Sequence, residues 1–242
     1  MTSATKKIIA LCIFSVAMAA LESAVVVYLR ALYYPDGFTV AFKLINEQIL
    51  LIEVVRELAT LIMLVGIAYL TGNDRYDRFA YFLLSFAVWD IFYYVWLKVF
   101  INWPASFFEW DILFLIPITW LGPVLAPVIC SVTMIVLAAV ILKSETREKF
   151  SVLIMSGLVV GSILILFTFM QDYVSLLIAT NSLFDYPQLM KSERFINAAS
   201  VYTPKSYNWF LFFLGELLIG VSIFRLHFST QHPVAALNAD LN

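Results

Sequence analysis

Apolar and polar positions alternate along this chain on the scale of whole helices. Six apolar runs, about Ile8–Leu32, Asn46–Leu70, Phe79–Ile101, Val124–Leu142, Val152–Ile178 and Tyr207–Phe228, are separated by breaks, of which 182–206 is the longest polar one. Each run is close to the ~20 residues that cross a ~30 Å apolar layer as a helix. The breaks carry helix-stopping chemistry, as in Tyr33-Tyr34-Pro35-Asp36-Gly37 and the charged Thr71–Arg78 loop. The pattern predicts an all-α polytopic membrane bundle of about six spans.

The Asp111–Leu142 stretch is too long for one upright helix and holds Pro117, Gly122, Pro123 and Pro127. Proline removes a backbone donor, so a broken or re-entrant element is expected at 111–123, written as a short half-helix over Asp111–Trp120. One strongly kinked helix is the alternative. Lys6-Lys7 followed by Ile8–Ala20, with Ala17, Ala19, Ala20 and Ala24, resembles a signal peptide. The run continues to Leu29, so a first span is expected. A single bundle domain is expected over 1–228, with an interfacial helix near Pro187–Ala199 and a disordered tail over 229–242. Gly157-Leu-Val-Val-Gly161 is a small-xxx-small pattern, expected to serve an internal helix contact.

Composition agrees with a membrane chain: 62% of residues are hydrophobic and only 13% charged, against about 25% charged in soluble domains. The net charge of −2 gives no case for nucleic acid. Cys12 and Cys130 both fall in apolar runs and are expected to be small interior residues without a disulfide. Lys6, Lys7, Arg75, Arg78, Lys143, Arg147, Lys149 and Arg225 fall on one side of six spans. Lys43, Lys98, Lys191, Arg194 and Lys205 fall on the other, with Arg30 at its edge. This bias predicts both termini in the cytoplasm, in a bacterial plasma membrane.

The charges inside the spans are the candidate chemistry. Asn46, Glu53, Arg56, Glu57 and Thr60 share one helix face by their spacing. A charge at mid-bilayer costs about 3 kcal/mol on insertion scales, so such groups face the interior and pair. Arg56 can pair with one glutamate of its own helix, which leaves another carboxylate without a local partner. Glu22, Asp90, Tyr93 and Tyr94 fall at comparable depth. The expected ligand or proton site is therefore Glu22, Glu53, Arg56, Glu57, Asp90, Tyr93 and Tyr94. A secondary set toward the outer edge is Arg30, Asp111, Asp172 and Glu216, the last lying nearest mid-membrane. The Trp89-Asp90-Ile91 triplet is echoed at Trp110-Asp111-Ile112. Trp103, Trp110, Trp120 and Trp209 are expected as an interfacial aromatic belt.

Acids outnumber bases in this layer. A buried carboxylate without a partner carries its proton or binds a cation. The expected activity is binding or conducting a proton, small cation or polar solute. The alternatives are an accessory subunit of a larger membrane complex, and a lipid- or isoprenoid-modifying enzyme with a carboxylate base. The only histidines are His227 and His232, and there is no C-x-x-C pair and no Gly-rich phosphate loop. That argues against haem, di-iron, zinc-helix and nucleotide chemistry. No cofactor and no permanently bound metal are expected. The expected partners are the lipid bilayer and other membrane subunits.

Overall fold

The computed structural model describes residues 2–35, 37–38, 47–144, 150–180, 192–204 and 206–231. Asn46 of the polar stripe, the 145–149 loop, residues 187–191 of the expected interfacial helix and the tail from 232 lie outside the described residues. The elements are α1 (Ser3–Tyr33), α2 (Glu47–Thr71), α3 (Arg75–Ile101), β1 (Trp110–Phe114), β2 (Trp120–Pro123), α4 (Leu125–Lys143), α5 (Val152–Ala179), α6 (Glu193–Ser200) and α7 (Trp209–Gln231). The protein is an all-α polytopic membrane bundle. Helices α1, α3, α4, α5 and α7 are long and apolar enough to cross a membrane. With 25 residues, α2 matches them in length but carries Glu53, Arg56 and Glu57.

Local chemistry sets the helix ends. Asp74 caps α3 by accepting the Tyr76 and Asp77 amides at 2.9 Å each. Asn102 ends α3 at φ 54°, in the left-handed region where asparagine is among the tolerated residues. Pro127 falls in the first turn of α4, where its missing N–H breaks no helical bond.

Helix α3 is the centre of one half of the bundle, with α1, α2 and α4 packed on it; α5 pairs with α7, and α4 meets α7. Between helices, side-chain donors reach backbone carbonyls of the neighbouring helix. The Trp96 indole donates to the Val16 carbonyl at 3.0 Å, and the Ser23 hydroxyl to the Tyr93 carbonyl at 3.0 Å. The outer surface is inverted relative to a soluble protein. On α2, Glu53 and Glu57 are 6% and 7% exposed while the adjoining Leu58 is 50% exposed. The polar stripe faces the interior, and Leu51 and Leu58 face outward, as lipid requires.

The 111–123 segment is neither the half-helix nor the kinked helix expected from its prolines. It is an antiparallel hairpin, with Trp110 opposite Pro123, Asp111 opposite Gly122, Ile112 opposite Leu121 and Phe114 opposite Trp120. Pro117, Gly122 and Pro123 leave no uninterrupted stretch long enough for a stable helix, while the aromatic and branched residues of Trp110–Phe114 suit a pleated strand. Five strand residues reach ~17 Å, about half of a ~30 Å apolar layer. Phe114 accordingly lies against Phe86 and Trp89, halfway along α3. Strand β2 packs on α5, where a Cβ at Gly122 would come within 3.1 Å of the Phe169 ring.

The Gly157–Gly161 pair seats α7 on α5, as an internal contact. A Cβ at Gly161 would stand 2.6 Å from Ile219 Cγ1 and 2.7 Å from the Gly215 carbonyl. Gly161→Val is expected to lower stability by ~1–3 kcal/mol through overpacking, read as a fall in Tm of the detergent-purified protein. Gly66→Ala, which meets nothing within 4 Å, is expected to melt with or slightly above wild type, since alanine is the better helix former. Equal Tm for Gly161→Val and wild type would overturn the close-packing assignment.

Candidate functional site

The charged stripe of α2 folds into a closed network. Arg56 donates from Nε to Glu53 Oε2 at 2.8 Å and from Nη2 to the same oxygen at 2.7 Å. Its Nη1 bonds Glu22 of α1. The other oxygen of Glu22 accepts the Thr60 hydroxyl at 3.3 Å. One guanidinium thus ties two carboxylates from two helices, the fork geometry for which arginine is suited.

Glu57, the carboxylate left over by Arg56, reaches the hairpin. Its two oxygens accept the Leu115 amide at 2.9 and 3.1 Å. Leu115 follows β1 directly, so an otherwise open strand end receives a fixed acceptor. Nothing local in the sequence signals this bond: it joins residues 58 apart.

Arg30 and Asp111, expected near the outer edge, are buried together. They pair at 3.0 Å with side chains 9% and 2% exposed. Asp111 also accepts its neighbour's amide, from Ile112 at 3.0 Å, and stands 3.5 Å from the Tyr93 hydroxyl. The Arg30 guanidinium lies 3.9 Å from the Phe38 ring centroid and 3.8 Å from that of Trp103, with Nη1 unpartnered. Tyr94 is buried against Tyr93 and Trp103. Tyr93 is also within electrostatic reach of Glu22 and Arg56, so this pair adjoins the α2 network.

Asp90 and Glu216 belong to a third group. Asp90 accepts the Ser131 hydroxyl at 2.8 Å, and Glu216 Oε2 accepts the Thr133 hydroxyl at 2.7 Å. Both donors come from α4, two residues apart, and so reach α3 on one side and α7 on the other. Neither acid has an ion-pair partner among the described residues. Both line a cavity of about 310 Å³ bounded by α3, α4, α5, α7 and the hairpin. Its walls are otherwise largely apolar, with Phe86, Phe114, Trp120 and Phe169 prominent. Glu216 Oε1 and Trp120 Nε1 are buried without a hydrogen-bond partner. The Cys130 thiol beside Glu216 is a weak donor.

Asp172 stands apart from all three groups, hydrogen-bonded with Tyr202 beyond α6. Trp120 departs from the expected belt: it is stacked on Phe169 with centroids 6.1 Å apart, inside the bundle. Ser131, Thr133 and Cys130 lie outside the set of residues expected at the site. Small hydroxyls and a thiol in an apolar run carry no signal until the partner helix is known. Among the described residues no three of His, Cys, Asp and Glu converge as metal ligands. Cys12 and Cys130 are free thiols. In comparisons with known proteins, no family model, no curated protein and no solved structure matches the chain.

Three substitutions separate the supporting role of the network from any ligand role. Removing one partner of a buried ion pair typically costs 3–5 kcal/mol, so Arg56→Met is expected to lower Tm sharply. Glu57→Gln keeps a carbonyl oxygen for the Leu115 amide and is expected to stay within ~1 kcal/mol of wild type, the worth of one ordinary hydrogen bond. Glu57→Leu is expected to accelerate hydrogen exchange at Leu115. Unchanged exchange there would show that Glu57 does not hold the hairpin.

Proposed function

We propose that this integral membrane protein binds and moves a small cation, the proton included, by way of Asp90 and Glu216. The observation that carries this reading is their pairing of circumstances: both line the same interior cavity, and neither has a basic partner among the described residues. A carboxylate taken out of water without a counter-charge is costly by several kcal/mol, and a cation in the cavity offsets that cost. The Glu22–Arg56–Glu53 network and the Glu57–Leu115 bond serve as the frame, because their acceptors are already engaged. The basic residues of the short polar breaks support an orientation with both termini cytoplasmic.

Melting the detergent-purified protein against a panel of cations tests this. A ligand at 100 times its Kd stabilises the folded state by ~2.7 kcal/mol, which a Tm shift resolves. The expected result is a cation-dependent rise in wild type that disappears in Asp90→Asn and Glu216→Gln and persists in Glu47→Gln, whose side chain is exposed. A rise that survives both cavity substitutions would sink the assignment of these two acids.

A further inference from the structure

The cavity holds more than two carboxylates, and the rest of it speaks to what the cation is. Its 310 Å³ is the room of about ten waters, far more than a bare ion occupies. The lining is dominated by aromatic and aliphatic side chains, which give a hydrated metal ion nothing to replace its water. Hard cations take six or more oxygen ligands in ordered geometry. Here the carboxylates come singly from α3 and α7, each already engaged with a hydroxyl, and no cluster of three metal-ligating side chains forms among the described residues. Phe86, Phe114, Trp120 and Phe169 instead present π-systems, with Trp120 in ring contact with both Phe114 and Phe169. Aromatic faces are favourable surfaces for organic ammonium groups and poor ones for hydrated metals. Beyond the weak Cys130 thiol beside it, Glu216 Oε1 has no hydrogen-bond donor, and an N–H of an ammonium would be a strong one.

The cavity also reaches the surface of the bundle in a telling place. Ser162 and Phe79 line it and are exposed. Ser162 is ten residues into α5, ~15 Å along the helix axis. That is mid-depth in a ~30 Å apolar layer, so the rim beside Ser162 lies at the depth of lipid tails, while Phe79, four residues into α3, lies nearer the edge of the layer. A ligand entering beside Ser162 must itself be soluble in the bilayer.

We propose that the cavity between α3, α4, α5, α7 and the hairpin takes an organic monocation: a primary or secondary ammonium on an apolar, ring-bearing body of about ten non-hydrogen atoms, drawn from the bilayer. The ammonium lies by Asp90 and Glu216, and the apolar body lies among Phe86, Phe114, Trp120 and Phe169. This rests on the cation reading above and narrows it to one chemical class.

The test uses the protein in lipid nanodiscs and five probes of known chemistry. They are 2-phenylethylammonium, its uncharged counterpart 2-phenylethanol, the anion phenylacetate, and the chlorides of sodium and magnesium. The expected result is saturable binding and a raised Tm with 2-phenylethylammonium alone. Asp90→Asn and Glu216→Gln are each expected to weaken that binding at least tenfold, and Ser162→Phe to weaken it by filling the opening while leaving both acids in place. If sodium or magnesium binds in wild type and not in the cavity variants, while the ammonium does not, the cation reading stands and the organic-ligand inference is overturned. If 2-phenylethanol binds as well as the ammonium, the charge is not what the site reads, and the inference fails. If no probe binds, the inference falls, and of the reading beneath it only the proton is left. Should an acid variant not fold, the wild-type comparison of ammonium with alcohol still decides the class.

Discussion

A backbone amide inside a lipid bilayer has no water to turn to, and this fold depends on how that constraint is met at Leu115. Helices satisfy their own amides, which is why they span membranes freely. A two-stranded hairpin does not: its outer edges and its turn expose unpaired groups. Here the Leu115 amide is accepted by both oxygens of Glu57, and β2 is covered by α5 through the close approach of Gly122 to Phe169. With those groups met, irregular backbone can stand halfway along α3, surrounded by protein. The hairpin in turn supplies Leu113, Phe114 and Trp120 to the cavity wall. Without the anchor, the cavity would lose one of its sides.

The ionisable groups of the interior divide by how fully they are satisfied. Arg56 holds Glu22 and Glu53, and Arg30 holds Asp111 with aromatic rings against the guanidinium. Such networks, once complete, rigidify the elements they join, and here they tie α1 to α2 and α1 to the hairpin. Asp90 and Glu216 sit differently. Each takes one hydroxyl from α4, and among the described residues neither takes a base. Proteins rarely leave buried polar atoms unmatched; Arg30 Nη1 and Trp89 Nε1 are unmatched as well, but Glu216 Oε1 and Trp120 Nε1 belong to residues that line one cavity. The same residue type, glutamate, stands in both settings.

Much of the fold could be read from the chain, because insertion into a bilayer depends on length, apolarity and helix punctuation, and all three are local. The runs at Asn46–Leu70 and Val152–Ile178 correspond to α2 and α5 within a residue or two at each end. The inward turn of Glu53 and Glu57 followed from their spacing. The hairpin did not follow: Pro117 and Pro123 announced that a helix was broken, but strand pairing across a turn is decided by what surrounds it. Trp120 was misjudged for a related reason. A tryptophan near a proline-rich break is ordinarily at the membrane edge, and only the hairpin's inward course carries this one to Phe169.

The sequence by itself determined that the chain is a multi-pass helical membrane protein and that certain charges must face inward, since both conclusions rest on the cost of exposing polar groups to lipid and on helical periodicity. Which of those charges meet each other was decided only by the tertiary structure. Glu57 with Leu115, Arg30 with Asp111, and Asp90 with Glu216 around one cavity are joined across long sequence separations. The packing of α3, α4, α5 and α7 around a hairpin brings them together, and no local pattern encodes that arrangement.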